Sequence, residues 1–413
     1  MIKFEKFTLD NGLKVIFHKD ESTPMVVVNV LYDVGAKDEN PAQTGFAHLF
    51  EHLMFGGSIN IPSYDEPLQK AGGENNAYTT NDLTNYYLKL PKENLETGFW
   101  LESDRMLSLA FDENSLEVQR KVVCEEFKEN YINKPYGDVW KYLRELCYKE
   151  HPYQWMTIGK ELKHIEDAQL QDVKDFFKKH YNPQNAILAI SGNTSMEEVK
   201  RLAKKYFEPI PSGTKYERQI PSEPSQQEAR RLSVEKDVPV SLIMKAYHIE
   251  NRESPHYYTA DIITEVLAGG KSSRLYTELV KKQKLFSQVN CYHTGSVEKG
   301  LLVVMGNLIN ETTPEEGEAA MDAVVQDFIR EGVTTEELDK VINKIESLMT
   351  FEDMSLMNRA NNLAFYELLG DANKLNEEFD NYKAVDAAMV QEQAKYIFRK
   401  ENENALFYLA KQN

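Results

Sequence analysis

A polar, proline-rich stretch near the middle of the chain, residues 208–228, divides it into two halves with similar patterns of strands and helices. The stretch holds four prolines and few large apolar residues, which is the composition of a linker. A chain of 413 residues is also too long for one ordinary core, so two domains are expected. We therefore predict a first domain over residues 1–210, a linker over residues 211–230 and a homologous second domain over residues 231–413.

Both halves group strands with helices, without the strict alternation of a doubly wound fold. We predict an α+β chain: two similar α/β sandwich domains related by internal duplication, each with an antiparallel-rich sheet and helices on one side. In the first half we expect strands within 4–34, 74–90 and 186–190, and helices at 46–54, about 93–109, 113–131, 136–148, 166–180 and 196–206. In the second half we expect strands near 232–247 and at 405–409, and helices at 255–267, 335–348, 356–370 and 386–398.

Charge and cysteine content restrict the partners and the compartment. A net charge of −18 argues against nucleic acid, because a duplex-binding protein needs basic surface to neutralise phosphates. No apolar run approaches the roughly 18 residues of a membrane helix, so no membrane partner is expected. Three cysteines in so long a chain, and an N-terminus without the apolar segment of a secretory signal, favour the cytoplasm. A signal peptide that had been trimmed would make the periplasm the alternative.

The segment His48-Leu49-Phe50-Glu51-His52 lies in a pattern that predicts a helix. Residues four apart share a helix face, so both imidazoles can reach one ion, and Glu51 lies on nearly the same face. This His-x-x-Glu-His order is the inversion of the commoner zincin motif. The competing interpretation is two helix histidines that only cap or pack. The spacing favours a zinc site with His48 and His52 as ligands and Glu51 as general base.

A third ligand should be a carboxylate on another helix, because two imidazoles and one carboxylate hold Zn²⁺ and leave a position for water. Val122, Val123 and Glu126 share one face of an amphipathic stretch. A carboxylate on an apolar face needs a partner, which zinc would supply. Periodicity therefore favours Glu126 as the third ligand and leaves Glu125, about 100° around the helix, as the alternative.

At these residues the sequence resembles the pitrilysin/insulinase family of inverted zincins, and within it the half-length members similar to mitochondrial processing peptidase. The resemblance covers nearly the whole chain. In the first half it is carried by LDNGLKV, GAKDE, TGFAHLFEHLMFGGS, GGENNAYTTNDLTNYY and RKVVCEEF, and in the second half by LAGGKSSRLYTEL. It implies a zinc metalloendopeptidase that hydrolyses peptide bonds of oligopeptides or unfolded segments.

The resemblance also implies roles for individual residues. The family's three zinc ligands match His48, His52 and Glu126. Its general base matches Glu51. The edge strand along which its members align substrate matches Asn76, Ala77 and Tyr78. Such a strand holds an extended peptide by backbone pairing, with little demand on the sequence of that peptide.

The sequence departs from the family pattern at two places. Where the family has an acidic residue, seven positions before the third ligand, this chain has Gln119, which can orient a ligand but carries no charge. Self-sufficient members carry an Arg and a Tyr that bind substrate and polarise the scissile carbonyl, where this chain has Val280 and Ser287. In some members a homologous chain without the zinc motif supplies that pair. We therefore predict the catalytic subunit of a two-chain enzyme, with a homodimer as the alternative.

Two functions of different classes follow from these features. One is the metallopeptidase, and the other is a non-catalytic scaffold subunit with a relic zinc site. Scaffold subunits of this family usually lose one of the residues of the site. The complete set favours the metallopeptidase.

Overall fold

The computed structural model describes residues 1–110, 112–309 and 311–411, and within these ranges the chain forms two compact units. The first unit consists of the segments Met1–Glu129, Trp155–Ile220 and Thr350–Glu377. The second consists of Asn130–Gln154, Pro221–Met349 and Glu378–Asn413. Both units are discontinuous, because a segment from each half of the sequence belongs to the unit built mainly from the other half. The predicted division into two duplicated halves joined by residues 211–230 is a different division from these units, and it stays a prediction.

Each unit is built around one mixed sheet, which confirms the predicted α+β class. The strands are β1 Glu5–Thr8, β2 Lys14–Lys19, β3 Met25–Tyr32, β4 Glu74–Thr79, β5 Thr84–Pro91, β6 Ala186–Gly192, β7 Arg230–Lys236, β8 Leu242–Ile249, β9 Phe286–His293, β10 Gly300–Leu308 and β11 Glu403–Ala410. The first sheet has the order β1-β2-β6-β3-β5-β4, and the second has the order β7-β11-β8-β10-β9. The pairs β2–β6 and β7–β11 are parallel, and the remaining neighbours are antiparallel.

The helices are α1 Phe46–Leu53, α2 Asp65–Lys70, α3 Leu95–Leu107, α4 Glu113–Phe127, α5 Val139–Cys147, α6 Leu162–Glu166, α7 Leu170–His180, α8 Met196–Tyr206, α9 His256–Ala268, α10 Pro314–Glu331, α11 Thr335–Glu352, α12 Leu356–Leu368, α13 Lys374–Lys383 and α14 Ala387–Ile397. Short π-helical segments follow α4 at Lys128–Asn133 and precede β9 at Tyr276–Lys282. In the part of the chain that the structure describes, no helix combines the length and the apolar character needed to cross a membrane.

Two predicted elements have different boundaries in the structure. The helix expected at about 166–180 is α7, but its predicted start is wrong, because α6 ends at Glu166 and a capping box at Gln169 starts α7 at Leu170. The single strand expected near 232–247 is also wrong. It is interrupted at Pro239, which has no N–H to donate to a sheet and lies between β7 and β8.

Helices cover both faces of the first sheet, so the prediction of helices on one side only is wrong. On one face α3 lies so close that a side chain at Gly98 would meet Val28 of β3. On the other face, Asn85 of β5 donates hydrogen bonds to Asn361 of α12 at 3.3 Å and to Asn29 of β3 at 2.8 Å. Neighbouring residues of a strand point to opposite faces, so β3 is buried on both, as its nearly continuous apolar run predicts.

The second sheet is covered in the same way. Helix α5, which comes from the first half of the sequence, packs with Met244 and Leu406 on one face. Helices α9, α10 and α14 pack on the face that carries Ile243 and Phe407. A helix from each half of the sequence thus completes the core of the unit built mainly from the other half.

Residues 211–229 of the predicted linker form no helix or strand, and Arg230 begins β7. Side chains of this segment nevertheless fix it to folded structure. In the first unit, Arg218 forms ion pairs with Asp33 and Asp38, each at 2.7 Å. In the second unit, the buried carboxylate of Glu223 accepts hydrogen bonds from the backbone N–H groups of residues 149–151. The segment is therefore more ordered than its composition predicts.

Candidate metal centre

The His-x-x-Glu-His segment forms helix α1 of the first unit. Leu49 and Phe50 are fully buried, and the ring of Phe50 stacks on that of Tyr181 with centroids 5.0 Å apart. This packing fixes the rotation of the helix about its axis. Its partly exposed side carries His48, Glu51 and His52.

A buried carboxylate from outside α1 caps the N-terminus of this helix. Gly45 precedes α1 with φ 89°, a conformation that favours glycine, and has no side chain to act as a cap. The two oxygens of Glu39 instead accept hydrogen bonds from the N–H groups of Gly45 and Ala47, both at 2.9 Å. Trp155 Nε1 also donates to Glu39, at 3.2 Å. Glu39 therefore satisfies two N–H groups at the N-terminus of α1, while burial raises its pKa to about 8.

Replacing Glu39 by Ala is expected to lower the free energy of unfolding by about 2–4 kcal/mol, because two buried N–H groups lose their acceptor. Urea unfolding measures the change. The control is Glu66→Ala, which removes an exposed carboxylate paired with Lys70 and should change this energy by less than about 0.5 kcal/mol. Equal stability of the Glu39 variant and the wild type would contradict the capping role.

Three predicted ligand residues converge although they are distant in sequence. Glu126 is near the end of α4, and its Oε2 atom lies 3.4 Å from Nε2 of His52 and 3.8 Å from Nε2 of His48. One ligand atom from each of the three residues lies within 4.8 Å of the others. No second group of three His, Cys, Asp or Glu side chains meets this test among the described residues.

The spacing of these atoms fits a zinc ion. Zinc binds imidazole nitrogen and carboxylate oxygen at about 2.0–2.2 Å in a tetrahedral arrangement, which places neighbouring ligand atoms about 3.3–3.5 Å apart. The distance from His52 to Glu126 agrees with this value, and that from His48 to Glu126 exceeds it by a few tenths of an ångström. Two nitrogens and one oxygen from protein also leave one tetrahedral position for water.

The surroundings favour the protonation states in which such groups bind metal. Burial lowers the pKa of His48 to about 4, so its imidazole is neutral at neutral pH. The hydrogen bond from His52 lowers the pKa of Glu126, so this carboxylate is ionised. Neutral imidazole and ionised carboxylate are the coordinating forms. Burial raises the pKa of Glu51, and the hydrogen bond from Thr79 opposes this rise.

The structure separates the two candidate carboxylates of α4. Glu125 points away from the histidines: its side chain is 73% exposed and pairs with Lys128 at 2.7 Å. The sequence predicted that Val122, Val123 and Glu126 share the apolar face of α4. This is wrong for Val122, which is exposed, whereas Val123 is buried. The buried face of α4 is centred on Val123 and Phe127, and Glu126 lies at its edge.

Gln119 does not orient His48 in this structure. The Nδ1 atom of His48 is buried and has no hydrogen-bond partner among the described residues. Metal-binding histidines usually donate this second N–H to a carboxylate or carbonyl. Packing of α1 therefore holds His48 without such a bond.

The predicted substrate residues lie on β4, which is an edge strand of the first sheet and pairs with β5 alone. Ala77 faces Tyr86 of β5 in the register, and Tyr78 is 38% exposed. The side chain of Asn76 accepts a hydrogen bond from the N–H of Ala77 at 2.8 Å. The other edge of β4 has no neighbouring strand among the described residues, although the Ala77 N–H is already bonded to Asn76.

Strand β4 also approaches the predicted base. Its last residue, Thr79, donates a hydrogen bond from Oγ1 to Oε2 of Glu51 at 2.6 Å. Sequence reasoning missed Thr79 and the cap Glu39. The signal for Thr79 was its place in the strand predicted to lie along the substrate. The sequence gives no local signal for Glu39, because it lies six residues before Gly45, the first residue whose N–H it binds.

In the second unit, the positions that match the family's Arg and Tyr have no comparable donor. Val280 packs against the hydrophobic core. Ser287 is exposed, and its hydroxyl donates to the carbonyl of Asn307 at 3.2 Å.

Two family models match different parts of the chain. Residues 14–160 match the family described as Insulinase (Peptidase family M16), and residues 167–345 match the one described as Peptidase M16 inactive domain. The zinc protease PqqE of Helicobacter pylori is 31% identical over 347 residues, which are 82% of this chain and 78% of that protein. The mitochondrial-processing peptidase subunit beta of Saccharomyces cerevisiae is 30% identical over 206 residues, 49% of this chain and 44% of that protein. The crystal structure of a protease from Helicobacter pylori has a TM-score of 0.93 at 28% identity and covers 100% of both chains.

Proposed function

Since the chain belongs to the insulinase family of M16 peptidases, we propose that it is a zinc-dependent endopeptidase acting on oligopeptides or unfolded segments. The observation that carries the proposal is the convergence of His48, His52 and Glu126 on one point, with Glu51 on the same helix side. The name of the relative PqqE, a zinc protease, supports zinc as the metal.

The residues of the site divide the reaction among them. His48, His52 and Glu126 would hold the ion, which when bound would supply a water molecule with a pKa lowered to about 7. Glu51 would accept a proton from the attacking water and donate it to the leaving nitrogen. Both transfers require a carboxylate that alternates between ionised and protonated forms.

The substrate is held as an extended strand along β4, at Asn76, Ala77 and Tyr78. Backbone pairing at a sheet edge selects an extended conformation and makes little demand on side chains. A folded protein has few extended segments free for such pairing. This supports oligopeptides and unfolded segments as the substrate class.

We further propose that a homologous chain without the zinc motif completes the site. Val280 and Ser287 leave the chain without the Arg and Tyr that bind substrate in self-sufficient relatives. The yeast relative is named as a subunit, which supports a two-chain enzyme. A homodimer is the alternative.

The scaffold alternative is weaker for a specific reason. The base and all three ligands are present, and they lie within residues 14–160. The match described as an inactive domain begins at residue 167, after the last of them. The description as inactive therefore applies to residues 167–345, and the four proposed site residues lie before that range.

The cysteines support a reducing compartment, and we propose the cytoplasm, with the periplasm as the alternative. Cys124, Cys147 and Cys291 are all free thiols. Proteins of oxidising compartments more often pair such residues.

Removal of zinc should abolish cleavage of a quenched peptide, and one equivalent of Zn²⁺ should restore it. The ion supplies the activated water, so apo-protein has no comparable nucleophile. Mg²⁺ is the control and should not restore activity, because it prefers oxygen ligands in octahedral geometry. Cleavage that persists after complete zinc removal, verified by elemental analysis, would contradict a zinc peptidase.

The same assay tests the partner. Loss of one carbonyl-polarising donor costs roughly 10²–10³ in rate, so the chain alone should be slower than the mixture by about that factor. Full activity of the purified chain, unchanged by any partner, would favour a self-sufficient homodimer. Bound zinc without cleavage in either sample would favour the scaffold.

A further inference from the structure

The carboxylate of Glu51 has a hydrogen-bond donor that the mechanism above does not use. Oγ1 of Thr79 donates to Oε2 of Glu51 at 2.6 Å. We propose that Thr79 is a positioning residue, which holds Oε2 and leaves Oε1 of Glu51 to take the proton. This inference rests on the proposed function, because it assumes that Glu51 is the general base.

A glutamate at this place needs an external constraint. Its side chain has three rotatable bonds, and fixing them costs conformational entropy. Glu51 is half-buried beside His52 and Glu126, whose charges act on it in opposite directions. A short charge-assisted hydrogen bond selects one carboxylate position among the alternatives. Thr79 supplies that bond and thereby orients the base.

Thr79 can act as a fixed reference because the turn that follows it is anchored. The hydroxyl of Thr80 accepts hydrogen bonds from the N–H groups of Asp82 and Leu83 at 3.0 and 3.1 Å. The side chain of Lys37, 2% exposed, forms an ion pair with Asp82 at 2.7 Å. The N–H of Lys37 donates to the carbonyl of Asn81 at 2.9 Å. Removing either member of such a buried pair is costly, so Lys37 anchors the turn.

The segment that anchors this turn also anchors the helix of the base. Residues 36–38 form a short 3₁₀ turn. Lys37 contacts Asp82 in the turn between β4 and β5, and the next residue after the 3₁₀ turn, Glu39, caps the N-terminus of α1. Gly35 permits this approach, because a Cβ atom there would lie 2.5 Å from the backbone of Asn81. One segment therefore fixes both sides of the contact between Thr79 and Glu51.

The test compares Thr79→Val with Thr79→Ser. Valine keeps the shape and the strand preference of threonine but removes the hydroxyl, and serine keeps the hydroxyl. The control is Thr8→Val, the same substitution at the exposed last residue of β1, the opposite edge strand of the same sheet. All variants should retain one zinc per chain, because none alters a ligand.

Crystal structures of the variants provide a readout that does not depend on activity. The carboxylate of Glu51 should leave its position or occupy several positions in Thr79→Val. It should remain within hydrogen-bond distance of residue 79 in Thr79→Ser and be unchanged in Thr8→Val. A single, unmoved Glu51 carboxylate in Thr79→Val would overturn the inference.

Kinetics, measured with the partner chain if it is needed for turnover, provide the second readout. In Thr79→Val, kcat should fall about 10–100-fold, as for loss of a group that orients a catalytic residue, with KM within about twofold. Thr79→Ser should recover kcat to within about threefold. A raised KM with unchanged kcat would overturn the inference and assign Thr79 to substrate binding. If the wild type cleaves nothing, the proposed function fails, while the crystal structures still decide whether Thr79 holds Glu51.

Discussion

Replacement of Glu126 by Gln is expected to remove zinc from the protein, whereas Glu125→Gln should keep one zinc per chain. Glu126 lies 3.4 Å from His52, and an amide lacks the charge that a zinc ligand supplies. The loss of affinity should exceed the roughly 100-fold cost of losing a group outside the coordination sphere. Elemental analysis after dialysis measures the zinc content.

The pair of variants is closely matched. Both replace a carboxylate by an amide of the same shape, on adjacent residues of one helix. Glu125 differs in being 73% exposed and paired with Lys128. Zinc lost from Glu125→Gln and retained in Glu126→Gln would show that the ligand is the other carboxylate.

Replacement of Glu51 by Gln should keep zinc and the fold but lower kcat by about 10²–10⁴-fold. An amide accepts a hydrogen bond from Thr79 as the carboxylate does, but it cannot take a proton from water. Zinc content and circular dichroism report on the metal and the fold, and cleavage of a quenched peptide gives kcat. The conservative control is Glu66→Gln, at an exposed position of α2, which should leave kcat unchanged.

Near wild-type kcat in Glu51→Gln would mean that another group takes the proton. Simultaneous loss of zinc would have a different meaning, namely that Glu51 contributes to coordination. The two results are separable, because zinc content is measured on the protein used for kinetics.

The local elements were largely predictable because their patterns depend on neighbouring residues. The apolar run of β3, the hairpin β4–β5 and the helix α1 were all expected from periodicity and turn residues. The predictions were wrong where a cap at Gln169 sets the start of α7 and where Pro239 separates β7 from β8. The boundaries of elements were therefore less predictable than their existence.

Local sequence patterns were sufficient to predict the α+β class and the helix that carries His48, Glu51 and His52, and they carry the resemblance to inverted zincins. These features depend on residues a few positions apart, which a helix or strand brings together without help from the rest of the fold. Periodicity alone left Glu125 open as the third ligand. It also placed Val122 on the wrong face of α4, because the burial of a helix depends on what packs against it.

Contacts between residues far apart in the sequence became visible in the folded structure. It brings Glu126 to the histidines, Thr79 to Glu51 and Glu39 to the N-terminus of α1. It also places α5, from the first half of the sequence, in the second unit, and α12, from the second half, in the first unit. The physical reason is that side-chain hydrogen bonds and core packing depend on the path of the whole chain, whereas local patterns report only on the nearest turn of helix or the nearest strand.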